Sequence, residues 1–353
     1  MVRHYHNFKV TEGRDRVFAL LGIVESYGHK IPTPAISYTV SLIDLYWSTI
    51  KPHIEHTGTL DFLSEATNTS RAPGLPSWMP RFAVGDVTGQ TQTRRMEATS
   101  ILTLELAPEI SFRATANTKP ICFYNPRIRS LGIVGFFAAV IQRLGTVAGL
   151  PGHIYAEKDP QAAAHEIAKD HLEAAMLSWI SMLELDNVFP NAPVLTLDLD
   201  KPNPTKQEIK AFSFIMTITM LEHWYKWDDE ELYALYRSKV QQHKTAQIVF
   251  ASSGQTFMSA RQMYAMLQRR LFETQPGGTF GLCPAETKVG DYVVFFYGCR
   301  TPMVVRPVAK GGKLYRLIGE AYMPYQMEGE SLEKDMVENR YRAGLRDSIY
   351  WIV

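Results

Sequence analysis

The chain has 353 residues, of which 46% are apolar and 21% charged, with a formal net charge of +1. That balance belongs to a globular protein that buries a core without disulfides or metal, and it argues against nucleic acid or an anionic membrane as partner. In chain order, Arg14 to Ser26 predicts a helix, with Val17, Leu20, Leu21 and Val24 on one face. Ser41 caps a second helix over Leu42 to Ile54, strained at Pro52, and a short third covers Leu60 to Ala66. Prolines 73, 76 and 80 form an extended connector around Trp78, whose indole is expected against these helices.

Thr99 to Leu106, Ile110 to Thr115 and Arg127 to Val134 alternate as strands do, and Phe136 to Leu144 reads as a very apolar, buried helix. The middle predicts helices over Ala162 to Leu185, Gln207 to Tyr225, from Asp228 onward, and Met258 to Phe272. A proline-rich loop between the first two carries a short strand within Leu195 to Asp200. From Phe280 the pattern changes: Tyr292 to Tyr297, Met303 to Pro307, Tyr315 to Ile318 and Ala321 to Tyr325 read as short strands separated by glycine turns, a small antiparallel sheet or half-open barrel. The tail from Asp335 to Val353 fits no pattern. The expected fold class is therefore α+β: a mostly helical body with a small antiparallel β-sheet or half-barrel near the C-terminus. Its parts are a helical segment with a proline-rich connector (1–98), a mainly helical middle (99–279), a β subdomain (280–330) and a tail (331–353), together one compact unit.

Motifs of chemistry are sparse. His165 and His171 are six apart, which places them on different helix faces, and His53 with His56 lacks a third ligand. There is no nucleophile elbow, phosphate loop or dinucleotide turn. Cys122, Cys283 and Cys299 fit no zinc or redox spacing and read as small buried residues of a reducing compartment. The polar start shows no leader, and the longest apolar run, Leu131 to Ile141, is too short for a bilayer crossing of about 20 residues, so the expected location is cytoplasmic. Neither cofactor nor metal is expected. The densest cluster is Glu222-His223-Trp224-Tyr225-Lys226-Trp227, which either pins a helix end or lines a cavity.

Two separated groups of motifs carry a family resemblance. The first is Gly13-Arg14-Asp15-Arg16-Val17-Phe18-Ala19-Leu20-Leu21-Gly22-Ile23 with Leu75-Pro76-Ser77-Trp78-Met79-Pro80. The second is Gly290-Asp291-Tyr292-Val293-Val294-Phe295-Phe296-Tyr297-Gly298, Pro302-Met303-Val304-Val305-Arg306-Pro307 and Tyr315-Arg316-Leu317-Ile318-Gly319-Glu320-Ala321-Tyr322. Together they resemble the fungal heterokaryon-incompatibility (HET) domain proteins, in their C-terminal part. The resemblance implies a role in non-self recognition between strains. The family's front segment, similar to TIR domains, has patterns that this sequence does not show, so its NAD-cleaving activity is not carried over.

The sequence is read first as one function, with a second as the alternative. The first is a cofactor-free cyclase or isomerase of secondary metabolism, of Diels–Alder type, acting on a small apolar metabolite such as a terpenoid or polyketide. Its candidate donors are His223 and Tyr322, and its candidate lining is Phe136, Phe137, Trp224, Tyr225 and Trp227. The other is a non-enzymatic incompatibility protein that works through contacts with a protein partner. An enclosed apolar cavity favours the first; an exposed apolar patch favours the second.

Overall fold

The computed structural model describes residues 12–26, 34, 36–66, 74–79, 101, 112–148, 268–275, 278–309 and 311–353, together with 175, 178, 179, 182, 196, 197, 246 and 247. Its organising element is one long strand, β2 (Ser130–Ala148), of 19 residues. With β1 (Cys122–Asn125), β5 (Arg269–Gln275), β6 (Phe280–Pro284), β7 (Tyr292–Phe296), β8 (Met303–Pro307), β9 (Leu314–Glu320) and β10 (Ser348–Ile352) it forms an eight-stranded sheet. β3 (Thr196–Leu197) and β4 (Ala246–Gln247) make a separate small pair.

The sheet closes on itself. β2 pairs with β7, β7 with β8 and β8 with β9, all antiparallel; β9 pairs with β10 in parallel, and β10 returns to β2 antiparallel. This is a five-strand barrel, and its alternation sorts the side chains. Leu131 and Ile133 of β2, Val294 and Phe296 of β7, Met303 and Val305 of β8, Leu317 of β9 and Tyr350 and Ile352 of β10 form one buried cluster to which every strand of the ring contributes. The same cluster takes in helix α2 (Leu42–Thr57) through Ile43, Tyr46, Ile50 and Ile54, which stops the barrel end. Helix α1 (Gly13–Ser26) packs on α2. Residues of opposite parity, Phe136, Val293, Phe295, Val304 and Ile318, face outward into a second cluster.

That second cluster is roofed. The later half of β2 carries the β5–β6 hairpin, which meets the far side of the ring where Leu282 and Tyr322 exchange two backbone bonds of 2.9 Å. Arg269 at the head of β5 and Glu320 at the foot of β9 form a buried ion pair at 2.7 Å, each side chain 1% exposed. Glu320 also accepts from the Ile101 amide. Helix α3 (Lys334–Arg342) completes the roof by laying the Arg340 guanidinium 3.7 Å above the Phe136 ring.

Several expectations hold. Ser41 caps α2, accepting from the Asp44 amide at 3.1 Å, and Met303 to Pro307 is a strand with the predicted bounds. Trp78 is fully buried against Tyr46, Trp47 and Tyr124. Leu60 to Ala66 holds a short 3-10 helix, Asp61–Glu65. The expectation of a mostly helical body with a small terminal sheet is overturned. The described residues are organised by the large mixed sheet, with only three α-helices around it. Phe136 to Leu144 is the centre of β2 rather than a helix; its run of apolar residues from Phe136 to Ile141 carries no polar alternation to mark a strand. Residues 269–272, expected to end a helix, begin β5. Beyond Glu320 only Tyr322 makes a bridge, and the unplaced tail supplies α3 and β10. Of the expected strand Ile110 to Thr115, the described residues 112–115 form none and 114–115 are a turn; most of the expected middle helices and of Thr99 to Leu106 lie outside the described residues.

Candidate functional site

The roof does not reach the β1–β2–β10 side of the barrel. There Phe123 stands opposite Gly132, Gly132 opposite Trp351 and Trp351 opposite Leu314, a row crossing four strands on the outward face. The next row joins Ile121, Val134 and Ile349: the Val134 amide donates to the Ile121 carbonyl at 2.9 Å, and Val134 is in register with Ile349. Ile121 and Phe123 are each 48% exposed, Ile349 39% and Leu314 38%; Val134 and Trp351 are half-buried. The Trp351 ring lies flat on Gly132, where an added Cβ would come within 2.8 Å of it. Six apolar side chains thus form one surface that nothing among the described residues covers.

The local fold fixes which side chains point out. On β1, Cys122 and Tyr124 turn inward. Tyr124 stacks on Trp47 of α2 with ring centroids 5.2 Å apart, and its hydroxyl donates to Asp44 at 2.8 Å. Burial first, then Asp44, pushes the Tyr124 phenol up to about 12. Asp44 is held below the usual carboxylate range, chiefly by the Ser41 hydroxyl and also by Tyr124 and the Arg129 charge. The β1–β2 turn is tied down by the Trp78 indole, which donates to the Arg129 carbonyl at 3.2 Å, with Arg129 itself at φ 51°. With the inward side chains so anchored, Ile121 and Phe123 have only the outward side.

The surroundings are one-sided in charge. The three segments that carry the surface, 118–129, 311–317 and 345–353, contain Lys119, Arg127, Arg129, Lys313, Arg316 and Arg346, all exposed, and a single acid, Asp347. Asp347 is engaged, accepting from the Tyr297 hydroxyl at 2.9 Å and from Arg340 at 3.4 Å. Burial, then Asp347, raises the Tyr297 phenol to about 12.

Of the residues named from the sequence, Phe136 and Phe137 stand on opposite faces of β2. Phe136 stacks on Phe295 at 5.0 Å under Arg340, whereas Phe137 meets the edge of Tyr292 at 5.4 Å. Tyr322 is fully buried with its ring against Phe112 at 6.2 Å. His223, Trp224, Tyr225 and Trp227 lie outside the described residues. Among the described residues no group of His, Cys, Asp and Glu could hold a metal, and no helix is long and apolar enough to cross a membrane. Cys283 and Cys299 are buried free thiols; burial raises Cys283 to about 12 and Cys299 well above its ordinary value, so neither is a ready nucleophile. The exposed surface was missed from sequence. Ile121 and Phe123 alternate with Cys122 and Tyr124, but four apolar residues in a row do not show which pair is buried.

Residues 194–342 match the Het-6 beta-barrel domain family model. Strands β3 to β9 fall in that span, while β2 and β10, which close the ring, lie outside it. A stretch of 65 residues is 43% identical to heterokaryon incompatibility protein 6, OR allele, of Neurospora crassa; it covers 18% of this chain and 10% of that protein's length. No solved structure matches. Both matches agree with the resemblance read from the sequence.

Proposed function

We propose that this chain, a heterokaryon-incompatibility-related protein, acts in non-self recognition without catalysis, by binding a protein partner through the open side of its barrel. One observation carries the reading: four exposed apolar side chains, Ile121, Phe123, Leu314 and Ile349, lie with half-buried Val134 and Trp351 across four strands, on a surface that no described residue covers. Scattered apolar residues on a surface are ordinary, but contiguous patches of this kind mark places where another molecule sits.

The cyclase reading needs aromatic side chains converging on one enclosed volume. Phe136 and Phe137 diverge, and the Tyr322 ring is packed on Phe112. The remaining candidates, in the 222–227 cluster, are not described, and no observation favours this reading over the other.

The test is a fusion assay between two fungal strains, one expressing the chain. The double variant Phe123→Asp with Ile349→Asp places charge on the open side without touching the barrel interior. We expect it to stay folded by circular dichroism and to lose the incompatibility reaction. A folded double variant that still triggers the full reaction overturns the proposal. Turnover of a host metabolite by the purified chain would favour the cyclase instead.

A further inference from the structure

Resting on that reading, we infer that the partner presents an extended segment, apolar at its centre and acidic at both ends, which adds to β1 as an extra strand. The first support is the edge itself. The Ile121 carbonyl accepts from the Val134 amide, so the backbone groups of Ile121, Phe123 and Asn125 face β2. By the alternation of a strand, those of Cys122 and Tyr124 face the other way. No described residue pairs with β1 on that side.

Protein edges are ordinarily blunted by lysine, proline or inward charge. The sequence Cys-Phe-Tyr-Asn of β1 has none of these within it. Pro120 and Pro126 stand on either side and limit the open edge to the five residues between them. A docking strand is therefore short. Its outward side chains would lie beside Ile121 and Phe123 and extend the apolar surface already present.

Charge selects the ends of that strand. Lys119 precedes the open edge and Arg127 and Arg129 follow it, while Lys313, Arg316 and Arg346 border the far side of the surface. Of the nearby acids, Asp347 is engaged with Tyr297, and Glu55 of α2 is paired with Lys51 at 3.9 Å. In a chain whose total charge is +1, these six exposed cations gather around the surface, where Asp44 faces Arg129 and Asp347 is the single acid of the three segments. A second copy of the chain fits poorly, since pairing β1 with β1 would bring like charges together. A nucleic acid fits poorly too, since Ile121, Val134, Leu314 and Ile349 offer its bases no hydrogen bonds.

The experiment uses the full chain and a fluorescein-labelled peptide with a valine centre flanked by glutamates, read by anisotropy and by hydrogen exchange. We expect it to bind at least about tenfold more tightly than its lysine-flanked counterpart, and more weakly as salt rises. It should slow exchange at the Cys122 and Tyr124 amides. Methylating the peptide's backbone nitrogens at alternate valines should remove that protection with no change to the protein. The variant Lys313→Glu with Arg316→Glu should narrow the preference for the acidic peptide.

Equal binding of the two peptides, or binding without protection at Cys122 and Tyr124, overturns the inference. So does self-association that protects those amides, or tighter binding of polyuridylate than of peptide. If the peptide fails while Phe123→Asp with Ile349→Asp still abolishes the fusion reaction, the partner's chemistry falls and the binding function stands. If the double variant reacts as wild type, both fall.

Discussion

The outward face of the barrel is finished in two different ways. Over β7 and the middle of β2, Phe136 and Phe295 are stacked and roofed by α3 and the β5–β6 hairpin. Around the ring, on β1, β2 and β10, side chains of the same outward parity stand in the open. The residue types are alike; what differs is whether the described residues supply a cover. Where they do, the apolar surface stabilises the fold. Where they do not, the surface is the one proposed above to receive a partner.

Breaking the roofed half should have the largest effect. Glu320→Gln removes the carboxylate charge that meets the buried Arg269 guanidinium at 2.7 Å, and losing one charge of a buried pair costs about 3–5 kcal/mol. A urea titration should show the midpoint falling accordingly. Next comes a paired comparison of the two halves. Phe136→Ala opens a cavity under α3 and should cost about 3 kcal/mol, whereas Phe123→Ala, half-exposed, should cost below about 1 kcal/mol. Equal losses in the same titration would mean that the open side is covered after all.

Arg340 sharpens the contrast further. Its Nε and Nη1 are buried without hydrogen-bond partners, so its place in the roof rests on the Phe136 ring and a long contact to Asp347. Arg340→Met keeps the cover and removes the orphaned donors. Lost cation–π attraction and relieved desolvation offset each other, and the urea midpoint should move by less than about 1 kcal/mol.

The smallest effect is alkaline. Tyr124 and Tyr297 have folded values of about 12, above the ordinary tyrosine value of about 10. Groups raised in this way stabilise the fold fully below about pH 10, and that contribution fades as pH climbs toward about 12. Absorbance at the phenolate band should show late-titrating tyrosines, and Tyr297→Phe should remove one of them.

Legibility in the sequence followed coverage. α2 was readable because one face is polar and Ser41 announces its start. β8 was readable because glycine turns bound a short run containing two β-branched valines. β2 was not, for two physical reasons. Its sequence from Leu131 to Ile141 is almost wholly apolar, and register shifts after Phe137, Ile141 and Leu144 break what alternation remains. β5 resembled a helix end because Arg269, Arg270 and Glu273 look solvated, whereas Arg269 is buried against a carboxylate fifty-one residues further on. β10 takes its meaning from a partner strand far upstream, which no local pattern conveys. The open surface was invisible for the same reason: its six residues come from four strands, and only the closed ring assembles them.

That ring closes late. β10 must find β2 across the whole span from Gly135 to Ser348, so a nascent chain emerging from the ribosome carries β2 without this partner until residues 348–352 have been made. Non-local pairing of this kind is slow, and an apolar strand left waiting invites mispairing with neighbouring polypeptides. Yield in a heterologous host should therefore respond more to chaperone supply and growth temperature than to any single stabilising substitution.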